Sequence, residues 1–149
     1  MAIGASKGLM EVIQVDEEKI REFLDREWNP VNESIFGRHD PAMWEVQRYA
    51  LAAYDGDIIV GAALLKIEAG LGKLSQIIAS ADHRGQGVGG ALLARFEEIC
   101  RREGCHKVGV KTYWNSEAQQ FYQGNGYVVE GILRRDLHGV DMCQMCKFL

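Results

Sequence analysis

A chain of 149 residues that is 47% hydrophobic and 26% charged carries enough apolar material for a real core, and its length fits one domain over residues 1–149 better than two. The formal net charge of -4 is spread without a basic block, which argues against a nucleic-acid surface and favours a cationic or neutral partner. No stretch approaches the roughly 18 consecutive apolar residues of a membrane helix, and residues 1–8 lack the apolar core of a signal peptide, so the expected location is the cytoplasm and not the membrane.

Residues 1–8 read as a mobile terminus. Residues 9–15 then read as a strand, and Asp16 is placed to cap a helix running to about Glu27 with Ile20, Phe23 and Leu24 on its apolar side. Both prolines, Pro30 and Pro41, fall in residues 28–44, where no periodicity stands out between Trp28 and Trp44. Residues 49–54 are extended, Asp55-Gly56 is a hairpin signal, and residues 58–68 form a long Ile/Val/Ala/Leu-rich strand. Gly70 and Gly72 bracket another turn before a third strand at residues 73–80. Both connections are too short for a crossover helix, so the three strands form an antiparallel meander.

A helix over residues 88–103 follows. Val88, Ala91, Leu92, Phe96, Ile99 and Cys100 make one stripe, with Arg95, Glu97, Glu98, Arg101 and Arg102 opposite, and Gly104 is its left-handed stop. Residues 107–113 alternate as a strand. Ser116-Glu117-Ala118-Gln119 matches a capping box that opens a short helix closed by Gly124-Asn125-Gly126, and residues 127–149 read as a hairpin turned at His138-Gly139.

Two motif matches give way to plainer readings. Cys143-x-x-Cys146 has the spacing of half a zinc site or a redox dithiol, but it lies in a strand, where residues three apart point to opposite faces. It and Cys100 and Cys105 are read as buried or half-exposed thiols, with no metal. Gly4-Ala5-Ser6-Lys7-Gly8 matches a hydrolase elbow, yet no strand precedes it.

The segment with the most chemistry is Arg84-Gly85-Gln86-Gly87-Val88-Gly89-Gly90. Four glycines between a strand and an amphipathic helix let backbone N–H groups converge on an anion, the helix dipole adds favourable potential, and Arg84 supplies a fixed charge. A pyrophosphate is the natural guest. Gly85-x-Gly87-x-x-Gly90 also satisfies the dinucleotide fingerprint, but no acid lies near Val110-Lys111, about twenty residues on, and the strands before the loop are antiparallel. No Gly-Lys-Ser/Thr follows, which excludes a nucleoside-triphosphatase loop.

Arg84-Gly85-Gln86-Gly87-Val88-Gly89 resembles the Gln/Arg-x-x-Gly-x-Gly/Ala loop of the GNAT superfamily of N-acetyltransferases. Downstream, Asn115 to Tyr127 is similar to that family's Asn-x-x-Ala-x-x-Phe-Tyr-x-x-x-Gly-Phe/Tyr segment, and Asp141-Met142-x-x-Met145-x-Lys147-x-Leu149 is similar to its last strand. Ala81 departs from it, standing where many members have proline.

The resemblance implies an α+β, three-layer fold: a mixed, largely antiparallel sheet, splayed between its central strands and flanked by helices. It implies acetyl-CoA as cosubstrate and an amine as acceptor, a small molecule or a peptide, attacked directly in a ternary complex, and it is compatible with a homodimer. Arg84, Gly85, Gln86, Gly87, Val88, Gly89 and Gly90 would cradle the pyrophosphate. Backbone groups at Ile78 and Ala79 would hold pantetheine, with Asn115 and Phe121 beside it. Tyr122 would face the sulfur; a phenol of pKa about 10 is protonated at neutral pH and can serve the departing thiolate as general acid.

The base is open among Glu33, His39, Glu68, Glu130 and water, because some protein-acetylating relatives carry a glutamate where this chain has Val110. His83 and His106 read as surface residues. A CoA-binding regulatory module without turnover and a dinucleotide oxidoreductase are the competing functions.

Overall fold

The computed structural model describes Gly8 and residues 10–149, whose contacts fall into two units, Met1–Pro41 and Ala42–Leu149. Most of the Gly4-to-Gly8 string and of the expected mobile terminus, with Leu9, lies outside the described residues. The strand expected at residues 9–15 is not found in residues 10–15, which have no regular structure and expose Met10 and Val12 almost completely. A strand takes its ladder hydrogen bonds from neighbouring strands, and among the described residues the six strands of the sheet do not include this segment.

The first unit's helix, α1 (Glu17–Phe36), runs a further nine residues beyond the expected end at Glu27 and carries Pro30 inside it. Proline removes one backbone donor, and α1 accommodates that loss until Gly37, at φ 70°, donates its N–H to Glu33 and stops the helix. Asp16 is extended at the N-cap but makes no side-chain capping bond. A short 3-10 turn, Pro41–Trp44, accounts for the end of the segment without periodicity.

In the second unit, β1 (Gln47–Asp55), β2 (Ile58–Glu68) and β3 (Leu71–Ala79) form the expected antiparallel meander. Helix α2 (Val88–Arg102), β4 (Lys107–Tyr113), α3 (Glu117–Gly124), β5 (Val128–Leu133) and β6 (Met142–Phe148) follow. The six strands lie in the order β1-β2-β3-β4-β6-β5, and every pairing is antiparallel except β3 with β4. Those two strands pair only from Leu71↔Lys107 to Leu74↔Val110, while β3 continues to Ala79 and β4 to Tyr113. Beyond Leu74 and Val110 they part. This is the mixed, mostly antiparallel α+β sheet with a central splay.

The core lies where α2 meets the sheet. Leu93, Phe96 and Cys100 of α2 pack with Val108 of β4, Met145 and Cys143 of β6, and Tyr127. All four cysteines are buried free thiols, and burial pushes the Cys100 thiol up to about 12. Glu97 departs from the expected polar face: it is buried, with Oε1 2.6 Å from Lys147 Nζ on β6. Residue 97 follows Leu93 by one i,i+4 step, and that row turns toward β6, where Lys147 supplies the opposite charge. The same Nζ donates to the Asn125 carbonyl at 3.1 Å, tying α2, β6 and the turn after α3 together.

Gly72 sets the distance between α2 and the sheet. A methyl group there would overlap the Cys100 sulfur and come 3.1 Å from Val108 Cγ1. Gly72→Ala is therefore expected to lower stability by about 2 kcal/mol in urea unfolding, as overpacking of a dense core does. Gly131→Ala, with nothing within 4 Å, should change it by less than about 0.5 kcal/mol.

Candidate active site

Where β3 and β4 diverge, a cleft of about 1020 Å³ opens, walled by the unpaired end of β3, the glycine loop, β4 and α3. Past Leu74 the β3 edge has no β4 partner, so backbone donors and acceptors from Ser75 to Ala79 are free on that side. At the head of the cleft Gly85 (φ 76°) and Gly87 (φ 84°) take left-handed conformations that residues with a Cβ adopt only at a cost.

The first helical bond of α2 runs from Ala91 N to Gly87 O, which leaves the N–H groups of Val88, Gly89 and Gly90 without helical partners. Added Cβ atoms at Gly85, Gly87 or Gly90 would meet nothing within 4 Å, so this surface is open backbone. No acid occupies the first turn of α2, and Arg84 lines the cleft beside it. Such an arrangement can hold a pyrophosphate on backbone donors. Gly61 seats it: a methyl there would come 2.5 Å from Val88 Cγ1, so its bare backbone lets the first turn of α2 lie close on β2.

Ile78, Ala79, Arg84, Gly85, Gly87, Val88, Gly89, Gly90, Phe121 and Tyr122 all line this one cleft. Gln86 and Asn115 do not. Gln86 Nε2 donates to the Asp82 carbonyl at 3.2 Å. Asn115, at φ 60°, shapes the turn into α3: its N–H donates to Gln119 Oε1 at 2.7 Å, while Gln119 N–H donates to Ser116 Oγ at 3.1 Å. The capping box forms with its return bond one residue earlier than the usual pattern.

Tyr122 is 4% exposed, edge-on to Phe121 (ring centroids 5.2 Å apart) and to Tyr127 (5.6 Å). Burial alone pushes its phenol up to about 12, so the hydroxyl stays protonated through the neutral range.

The acid and base candidates are scattered. Glu68 sits at the closed end of the β2–β3 hairpin, paired with Leu71, whereas Ala79 is at the opposite end of β3. Glu130 Oε2 lies 2.7 Å from Lys107 Nζ, which holds its carboxyl below the usual range, and it lines a different hollow. Glu33 and His39 belong to the first unit.

Glu117 and His83 are among the lining residues that the motifs did not place at the site. Glu117 was absorbed into the capping box. His83, read as a surface residue, lines the cleft with Nδ1 2.8 Å from Ser80 Oγ and Nε2 3.6 Å from Asp55 Oδ2, linking the loop to the β1–β2 turn. Its place directly before Arg84 was the available signal.

The sequence profile of the Acetyltransferase (GNAT) family matches residues 14–127. The chain belongs to that family and is an acyltransferase; the family uses acetyl-CoA and acts on amine acceptors. It is 29% identical over 125 residues to the uncharacterized N-acetyltransferase YjcF of Bacillus subtilis (strain 168), covering 79% of this chain and 84% of that protein. Its fold resembles a crystal structure of an acetyltransferase from Bacillus cereus ATCC 14579, with a TM-score of 0.71 and 19% identity over 93% of this chain and 98% of that one. It also resembles an aminoglycoside 6'-N-acetyltransferase complexed with coenzyme A, with a TM-score of 0.62 and 15% identity over 93% and 97%.

The tyrosine burial has a direct consequence. A phenol near pKa 10 when unfolded and about 12 when folded favours the folded chain's neutral form, so stability is full below pH 10 and declines as pH rises toward 12. Urea unfolding across that window should show the decline, and Tyr122→Phe should make it shallower.

Proposed function

We propose that this chain transfers the acetyl group of acetyl-CoA to a primary amine by direct attack in a ternary complex. The observation that carries the reading is that one cleft joins the open glycine cradle, the unpaired edge of β3 and Tyr122. Acetyl-CoA, when bound, supplies an acetyl thioester and a thiolate leaving group.

In this reading the N–H groups of Val88, Gly89 and Gly90 bind the pyrophosphate, assisted by Arg84. Gln86 acts on the loop from outside by holding the Asp82 carbonyl, and Asn115 acts through the turn that sets α3. The free edge at Ile78 and Ala79 binds the amide arm as a neighbouring strand would and turns a donor toward the acetyl oxygen as charge develops there.

Tyr122 donates its hydrogen bond to the sulfur. With its phenol raised to about 12 against a thiol of about 8.5, it stabilises the leaving thiolate by donation and is never itself stripped of its proton at neutral pH. The ammonium proton passes to water or to a titratable side chain lining the cleft, Glu117 or His83, since Glu68 and Glu130 stand away from it. A CoA-binding module without turnover would share the cradle but leave Tyr122 idle.

Two substitutions separate these roles. Gly87→Val places a β-branched side chain at φ 84°, and it is expected to weaken acetyl-CoA binding by about tenfold or more in calorimetry, with unchanged affinity removing the cradle. Tyr122→Phe should reduce kcat at least about tenfold in a thiol-release assay while leaving acetyl-CoA affinity within about twofold. Full turnover in that variant removes Tyr122 from the chemistry, and absence of thiol release with every amine tested favours the binding module.

A further inference from the structure

A second hollow of about 390 Å³ lies beside the cleft, and Leu74, Val110 and Lys111 wall both. The two therefore meet where β3 and β4 part. Gly72 and Val108 face α2 across Cys100, so strand alternation sends Lys73, Lys107, Gly109 and Lys111 to the other face of the sheet. Gly109 has no side chain to fill the floor.

The charges here run against the chain's net -4. Lys107 is paired with Glu130 at 2.7 Å and Lys111 with Asp136 at 2.8 Å, but Lys73 has no ion pair among the described residues. The register also sets Lys73 opposite Lys66, and Lys66 opposite Arg48. Three cations thus stand side by side across β3, β2 and β1, and among the described residues no carboxylate is paired with any of them. Like charges directly opposed on neighbouring strands are destabilising, and a locally unfavourable row of cations that ends at Lys73, in the lining of the hollow, is what an anionic ligand there offsets.

We infer that the hollow takes the carboxylate of a small amine acceptor, with Lys73 as the residue that selects for it and the acceptor's amine reaching the cleft past Leu74 and Val110. This rests on the acetyl-transfer reading and adds the acceptor's charge class to it. A hollow of about 390 Å³ suits a small molecule, at the lower end of ligand-site volumes, and not a polypeptide segment. The overall acidity does not oppose this, because salt screens charges beyond about 8–10 Å and a bound carboxylate responds to the lysines around it.

The test uses two acceptors that differ in charge and barely in amine pKa: δ-aminovalerate and its carboxamide. Thiol release should favour the carboxylate by about tenfold in kcat/KM, the effect of one well-placed cation, and Lys73→Ala should bring that ratio to about one. Lys73→Glu should invert it. A ratio near one in the unaltered protein, or one unmoved by Lys73→Ala, overturns the inference.

If neither amine turns over, NMR titration of both into the CoA-saturated protein decides: tighter carboxylate binding that Lys73→Ala abolishes supports the inference, and equal binding overturns it. Acetyl-CoA calorimetry run alongside distinguishes the two levels. Loss of acetyl-CoA binding removes the transfer reading together with the acceptor assignment, whereas normal acetyl-CoA binding with no charge preference removes the acceptor assignment alone.

Discussion

The parting of β3 from β4 is the constraint on which the rest of the site depends. Register along β2 places Leu64 opposite Gln76 and Leu65 opposite Leu74, so Ser75 is an extra residue on β3. A bulge of this kind bends its strand and increases the local twist. It falls immediately after Leu74, the last residue that β4 pairs. β3 stays with β2 and β4 stays with β6, and the gap between two well-paired halves of one sheet becomes the cleft. A continuous parallel pair would satisfy its own edges and leave a ligand nothing to bind.

Connection handedness then brings the glycine loop, the proposed anion site, to that gap. A parallel pair joined by a helix takes a right-handed crossover, so α2 must begin beyond the carboxyl end of β3 and return across one face to the start of β4. The N-terminus of α2 is thereby delivered to the splayed end. Glycine is required at two scales there: Gly85 and Gly87 for left-handed backbone, and Gly61 so that Val88 can approach β2. The loop motif encodes only the first of these. Gly61 lies more than twenty residues upstream and becomes meaningful only once the sheet is assembled.

That contrast explains how much was legible beforehand. The meander, α2, β4 and the capping of α3 depend on periodicity and turn residues within short windows, and their boundaries agree with the structure to within two residues. The splay came from family resemblance, because a bulge opposite another strand leaves no local trace. Glu97 was misplaced because its burial depends on Lys147, fifty residues later, arriving on the same row of α2. The helix was expected to end near Glu27, with residues 28–44 unassigned, yet a twenty-residue helix can lose one backbone bond at Pro30 and persist. For the site, residue type pointed to the glycine loop, while Ile78, Ala79, Phe121 and Tyr122 came from family resemblance; these residues line the cleft, and Gln86 and Asn115 are not among its lining.

Tyr122 shows how the two halves of the cleft are mechanically joined. Its neighbour Phe121 approaches the first turn of α2 so closely that a methyl at Gly89 would lie 3.4 Å from Phe121 Cζ. Tyr122 stacks edge-on between Phe121 and Tyr127, and the Tyr127 N–H returns to the Tyr122 carbonyl at 3.0 Å. Lys147, anchored on buried Glu97, holds the Asn125 carbonyl between them. The tyrosine hydroxyl is therefore positioned by packing and buried charge on the same helix that begins at the glycine cradle. A side chain fixed in this way has little rotamer entropy left to lose, which is the physical advantage of building it into a rigid aromatic stack and not on a loop.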